Sequence, residues 1–419
     1  MSGSVYKRCG CTEVVDGKRR QLGHRCPQLR RKDGTLNPRH GTWTLSTSVR
    51  GTGGKRQQVV RGGFASEKEA RRELERVSDK ARLGVSVNRI TMQQYLSGWL
   101  AGKSDIRPST LRAYTAHASK YLLPQLGHLL LDDLRVAHVA EMLAKVHASD
   151  ATRQRVRATL RSALSDAVRE GLVMVNVATL VKLPAGRRPK ALVWTPERVQ
   201  RWQQAGEVPS PVMVWTPGQL GAFLDRSSAD RLYALWHLIS HRGLRRGEAA
   251  GLRWEDIDLD AGQATIRRQR VQLGWEVLEG DPKSEAGGRT IALDAGTVAA
   301  LRTHRRQQRE ERMAWGPSAY VDSSVVFTRE DGEPLHPAII TDRFHRLTAT
   351  AGLPPLRLHD LRHGAASFML AAGVSMKVVQ ETLGHSSVVL TSDTYSSVYP
   401  QVASAAAEAA AAMVPRALG

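Results

Sequence analysis

The stretch His359-Asp360-Leu361-Arg362-His363 sits near the end of this 419-residue chain, followed by Leu383-Gly384-His385 and by Thr391-Ser392-Asp393-Thr394-Tyr395. His359 and Arg362 are three residues apart, which places both on one face of a helix. The opposite face, with Leu361, Ala365, Phe368 and Ala372, anchors that helix in a core. Upstream, Gly243-Leu244-Arg245-Arg246-Gly247-Glu248 sets Arg245 in a turn just ahead of another helix. Attack on a phosphodiester piles charge onto the non-bridging oxygens. Two guanidinium forks answer that charge with permanent, bidentate hydrogen bonds. A tyrosine supplies a nucleophile. The set points to cutting and rejoining a nucleic-acid backbone.

The bulk composition agrees. Formal net charge is +21, hydrophobic residues make up 41% and aromatics 5%. Such a charge, spread along the whole chain, favours a polyanionic partner through counterion release. No apolar run is long enough to span a bilayer. The N-terminus lacks the apolar stretch of a secretory signal, so a cytoplasmic location is expected. The three cysteines all precede residue 27, which speaks against a disulfide framework.

The expected fold is multidomain and mainly α with small β-sheets. Residues 1–82 read as a small, arginine-rich sheet-plus-helix DNA-binding module. In it, Thr42–Val49 and Gln57–Val60 form strands, and Ser66-Glu67-Lys68-Glu69 caps a helix to Arg82. Residues 88–183 read as all-helical. Their last helix carries Val156, Leu160, Leu164 and Val168 on one face, and Arg153, Arg155, Arg157 and Arg161 without nearby acids on the others. Residues 184–213 are a basic linker with a repeat-like insert: Val193-Trp194-Thr195-Pro196 recurs as Val214-Trp215-Thr216-Pro217, each with Thr at the N-cap and Pro at the first helical position. Residues 214–419 are a mixed α+β catalytic domain with an Ala-rich tail. Strands are expected at Ala264–Gln272, Gly288–Leu293 and Val325–Phe327, and helices at 337–350, 359–372, 376–383 and 387–396.

The ordered set of motifs resembles the tyrosine recombinases, and most closely the phage and integrative-element integrases. The resemblance covers about residues 65–400. It implies catalytic roles for Arg245, Lys283, His359, Arg362 and His385, with Tyr395 as nucleophile and Glu248 orienting its neighbours. The lysine falls in Pro282-Lys283-Ser284-Glu285-Ala286-Gly287-Gly288-Arg289. Tyr399 and Tyr320 are other available tyrosines, but Thr391 and Leu383-Gly384-His385 stand at the spacing that favours Tyr395. Partners implied are double-stranded DNA with core and arm sites, further copies in a tetramer, an excisionase and a host DNA-bending protein. Segment Ala403–Met413 could dock on a neighbouring copy. Catalysis implies no cofactor. A type IB topoisomerase and a catalytically silent DNA-binding regulator are the competing readings. Separately, Cys9, Cys11, His24 and Cys26 offer thiolate and imidazole donors for a structural zinc ion.

Overall fold

The computed structural model describes residues 3–50, 56–87, 89–184, 189, 191–282 and 285–384. Its contacts divide the chain into two compact units, Met1–Gly186 and Arg187–Gly419.

The first unit opens with an antiparallel sheet in the order β2-β1-β3-β4, made of β1 (Gly3–Val15), β2 (Lys18–Gly23), β3 (Thr42–Arg50) and β4 (Arg56–Phe64). The expected pair is β3 and β4; the first two strands are additional. Asp16 and Gly17 join them with φ of 51° and 73°. Both central residues of a two-residue type I′ hairpin need positive φ, and Asp-Gly supplies it at low cost. Helix α1 (Glu67–Arg82) begins at Ser66, whose hydroxyl accepts from Glu69 N at 3.2 Å. Its Val77 packs with Val49 and Val59 of the sheet.

Helices α2 (Met92–Ala101), α3 (Pro108–His117), α4 (Leu123–Leu126), α5 (Val136–Ala144) and α6 (Asp150–Arg169) follow, around a core containing Leu96, Leu122, Met142, Val156, Leu160 and Leu164. Val168 leaves the expected stripe: it is 37% exposed, and Ala167 is buried in its place. Steps of four residues advance about 40° beyond a full turn, so three steps rotate Val168 about 120° off the face. The α6 arginines also differ from expectation. Arg153 pairs with Asp150 at 2.7 Å, and Arg157 donates to the Val181 carbonyl at 2.5 Å. Arg155 and Arg161 are exposed.

In the second unit the two repeat copies lie side by side. β5 (Leu192–Val193) pairs in parallel with β6 (Met213–Val214). Each strand leads into a helix, α7 (Pro196–Ala205) and α8 (Pro217–Arg226). Trp194 and Trp215 are buried and donate their indole N–H groups to the adjacent carbonyls of Pro355 (3.1 Å) and Pro354 (3.0 Å). The first copy is thus a packed part of this unit, bracing the loop that leads to His359.

Helix α9 (Tyr233–Arg242) and the short α10 (Arg246–Ala250) come next. Then β7 (Ile257–Asp258), β8 (Gln263–Ile266), β9 (Gln269–Leu273), β10 (Glu276–Gly280) and β11 (Arg289–Ala292) form a three-stranded sheet, β11-β8-β7, and the separate hairpin β9-β10. The expected strand Ala264–Gln272 is therefore two strands. Val325–Phe327 makes one isolated bridge, Arg253 to Val325, instead of a strand, and all three of its residues are buried. Helix α11 (Ala295–Trp315) has no counterpart in the expectations. Its buried face includes His304 and Gln308, which apolar periodicity passes over. Gln308 Nε2 donates to Val325 O at 3.2 Å and Thr328 Oγ1 at 2.8 Å. The unit closes, within the described residues, with α12 (Pro337–Thr350), α13 (Asp360–Ala371) and α14 (Met376–Leu383). Among the described residues no helix is long and apolar enough to cross a membrane.

Candidate active site

Helix α9 stops at Gly243, whose φ is +64°. A Cβ there would also lie 2.6 Å from Leu383 Cδ2, so only glycine lets the turn approach α14 this closely. The turn delivers Arg245 to the N-terminus of α10. Glu248 then reaches back: one carboxylate oxygen accepts Arg245 N at 3.0 Å and the other accepts Arg245 Nη1 at 2.5 Å.

Glu248 is 1% exposed. It also accepts from Arg289 on β11, at 3.0 Å from Nη2 and 3.3 Å from Nη1. Burial alone would raise its pKa, but Arg289 and Arg245 outweigh that and hold the carboxyl below its ordinary value. The predicted orienting role of Glu248 thus has a partner the sequence reading missed. Arg289 stands at the end of the quoted Pro282–Arg289 segment, six residues past Lys283, and no motif in the sequence pairs it with Glu248.

Three arginines meet at the end of α14. The last carbonyls of a helix lack intrahelical partners and carry the negative end of its dipole. Arg289 Nε donates to Thr382 O at 2.7 Å, Arg362 Nη2 to Leu383 O at 2.5 Å, and Arg245 Nη2 to Gly384 O at 3.0 Å. Arg362 is only 2% exposed and also donates from Nη1 to Gly243 O at 2.7 Å. The two predicted phosphate-binding arginines, 117 positions apart in the numbering, therefore share one anchoring point.

His359 immediately precedes α13, and its ring meets His363 edge-on, with centroids 5.5 Å apart. Desolvation, then the positive charge of its neighbours His363 and Arg362, pushes the His359 pKa down to about 4. His363 is likewise pushed down to about 4, by desolvation and then by Arg362 and Arg357. Both imidazoles are neutral at pH 7. Asp360 between them is buried and gripped by Arg357, with Nε at 2.8 Å and Nη2 at 2.7 Å.

Lys283, His385, Tyr395, Tyr399 and the Ala403–Met413 segment lie outside the described residues. Their flanks are described. Gly384, with φ of +63°, abuts the segment that follows Lys283: a Cβ on it would sit 2.7 Å from Ala286 O. Gly247 at α10 comes equally close to β9, where a Cβ would meet Arg270 O at 2.8 Å. Tyr320 is half-buried against Gly332, and burial raises its pKa, which suits a packing residue better than a nucleophile.

In the first unit Cys9, Cys11 and Cys26 come together as expected, but the imidazole that joins them is His40. His24 instead sets its ring edge-on against Tyr6, 6.0 Å between centroids.

Residues 218–401 match the Phage integrase family, residues 91–146 a phage integrase N-terminal SAM-like domain, and residues 37–81 an arm DNA-binding domain. A XerC-like tyrosine recombinase of Caldanaerobacter subterraneus is 25% identical over 356 residues, covering 80% of this chain and 87% of that protein. The integrase of Mycobacterium phage FRAT1 is 27% identical over 301 residues, covering 71% and 80%. Among solved structures, the Tn1549 transposon integrase bound to circular intermediate DNA aligns with a TM-score of 0.60 at 19% identity, over 77% of this chain and 99% of that one. A lambda integrase dimer on a core site aligns with a TM-score of 0.51 at 18% identity, over 72% and 94%. The motifs, the three matched regions and the curated relatives together give this chain a Phage integrase family domain behind arm-binding and SAM-like domains, the make-up of a tyrosine-type site-specific recombinase.

Proposed function

We propose that this protein inserts a phage or other mobile element into DNA by cutting and rejoining attachment sites through a 3′-phosphotyrosyl intermediate. The observation that carries the reading is the convergence of Arg245 and Arg362 on the carbonyls of Gly384 and Leu383, directly before His385. Arg245, Arg362 and His385 hold the scissile phosphate and its developing charge. Tyr395 attacks the phosphorus, and the bond to O5′ breaks. A free tyrosine has a pKa near ~10, so it needs a proton acceptor. His359, neutral at pH 7, takes that proton or orients the phosphate. Lys283 protonates the departing 5′-oxygen. A 5′-hydroxyl of the partner strand then reverses the step. The bond energy stays in the phosphotyrosine, so strand exchange uses neither ATP nor a metal.

The partition of labour follows the sequence. Residues 1–82 bind arm sites, residues 88–183 grip the core site, the basic residues 184–191 join the two halves, residues 192–213 pack into the second unit, and residues 214–419 carry the chemistry. Double-stranded DNA is the substrate, in keeping with the DNA complexes of the Tn1549 and lambda integrases. Four copies act together, with Ala403–Met413 docking on a neighbour. An excisionase directs the reverse reaction, a host DNA-bending protein assists, and the protein works in the bacterial cytoplasm.

The test is a nicked core-site suicide substrate. The wild type traps a covalent protein–DNA adduct; Tyr395→Phe binds the same DNA and traps none. An adduct persisting in that variant would overturn the nucleophile. Relaxation of plasmid lacking any attachment site would replace the reading with a topoisomerase.

A further inference from the structure

The N-terminal sheet carries a side-chain cluster that recombination chemistry does not use. Sγ of Cys9, Cys11 and Cys26 and a ring nitrogen of His40 all lie within 4.8 Å of one another. Cys11 Sγ is 3.5 Å from His40 Nε2, and Cys26 Sγ is 3.6 Å from it. A tetrahedral ion with Zn–S of about 2.3 Å and Zn–N of about 2.0–2.1 Å sets each S···N edge at about 3.6 Å. The two observed edges match.

The backbone brings these donors together from three places. Cys9 and Cys11 flank Gly10 on β1, where the pairing shifts between Cys9↔Gly23 and Thr12↔Gln21, so β1 holds one residue more than β2. That is a β-bulge, a device that re-aims side chains. Cys26 stands at the entry to the single turn Pro27–Leu29. His40 ends the long excursion before β3, and Gly41 turns it inward with φ of +75°. A Cβ on Gly41 would lie 2.6 Å from Arg8 O and 2.7 Å from Leu29 Cδ2, so the chain passes β1 only as glycine.

The excursion from His24 to Gly41 has little else to fold around. Its regular structure is that one turn and one isolated bridge, Arg30 to Leu36. The apolar cluster beneath it consists of Leu22, Leu29 and the three cysteines themselves. The thiols are free, two of them buried, and an odd number cannot be fully paired as disulfides. Three thiolates and an imidazole suit a borderline-soft ion with no redox demand.

We propose that Cys9, Cys11, Cys26 and His40 hold one structural zinc ion, which fastens the 24–41 excursion to the β1–β2 hairpin. Three of the four ligands precede the region matched by the arm DNA-binding model, residues 37–81. The site is thus an addition at the leading edge of that region, and it stands whether or not residues 1–82 bind arm DNA.

The experiment uses the full chain, purified under reducing conditions from zinc-supplemented cells and assayed for bound metal by plasma mass spectrometry. The expected result is one zinc per chain, replaceable by cobalt with the intense charge-transfer and ligand-field absorption of a tetrahedral thiolate site. His40→Ala and Cys26→Ser lose the metal; His24→Ala keeps it. His40→Cys keeps it too, which separates ligation from a general folding defect. Chelation opens residues 3–41 to proteolysis in the wild type. Metal-free reduced protein that cobalt does not load overturns the proposal. So does loss of metal in His24→Ala with retention in His40→Ala, or a native disulfide among these cysteines.

Discussion

Replacing Glu248 by glutamine tests how the active-site arginines are held. The substitution keeps the shape and the bond from Arg245 N, but removes the charge that serves both Arg245 and Arg289. Breaking a buried ion pair from one side costs about 3–5 kcal/mol. Arg289 keeps its bonds to Thr382 O and Gly287 O, which argues for the lower end, about 3 kcal/mol. With a urea m-value of about 3 kcal/mol/M, the unfolding midpoint of the second unit falls by about 1 M. Tryptophan fluorescence reads that unit selectively, because Trp194, Trp202, Trp215, Trp236, Trp254, Trp275 and Trp315 belong to it and only Trp43 and Trp99 to the first. Adduct formation on a nicked core site falls by about 100-fold, since a misplaced guanidinium loses its aim at the phosphate. Combined with Arg289→Met, the loss is strongly non-additive, with a coupling of about 2 kcal/mol. A midpoint within about 0.2 M of wild type, together with full adduct yield, would refute the reasoning.

Two further outcomes follow from the same geometry. His359 and His363 have folded pKa values pushed down to about 4 from 6.5, so between those values the folded state binds fewer protons than the unfolded one. Their stabilisation is complete above pH 6.5 and is lost as pH falls towards 4; His363→Gln flattens that slope in urea titrations, and an unchanged slope would count against it. Trp194→Phe and Trp215→Phe each remove a buried indole N–H, from the carbonyls of Pro355 and buried Pro354 in turn, and open a small void, at about 1–3 kcal/mol apiece in the same unfolding assay. A loss in only one of them would mean that the two repeat copies are not equivalent braces.

The helices of the catalytic unit were legible where polar and apolar residues alternate with helical period or a cap announces a start. Residues 337–350 and 376–383 match their helices. Helix α11 escaped because it buries His304 and Gln308, which serve as hydrogen-bond partners to the backbone of residues 325–326 instead of as apolar filling. Strand β1 escaped because its second half is exposed on both faces and leaves no alternating pattern. Yet Asp16-Gly17 was a readable turn, and reading it would have given the hairpin that brings Cys9 and Cys11 towards Cys26. His24 lies two residues from Cys26 in the sequence but does not join the cluster. Closure of the 24–41 excursion, a tertiary fact, selects His40 instead.

The motif arginines were readable because their chemistry demands them, but what holds them is not written in the motifs. Arg362 spans Gly243 O at the end of α9 and Leu383 O at the end of α14, while Arg245 joins Gly384 O to the Glu248 carboxylate. Lysine, with one point charge on a flexible stem, cannot reproduce a planar fork reaching two carbonyls. It follows that loss of activity in an Arg362→Ala variant would not by itself assign Arg362 to the phosphate, because the same change unfastens two helix ends. Arg362→Lys with an unfolding curve beside the cleavage assay separates the two effects. A cleavage loss far larger than the stability loss accounts for belongs to the phosphate.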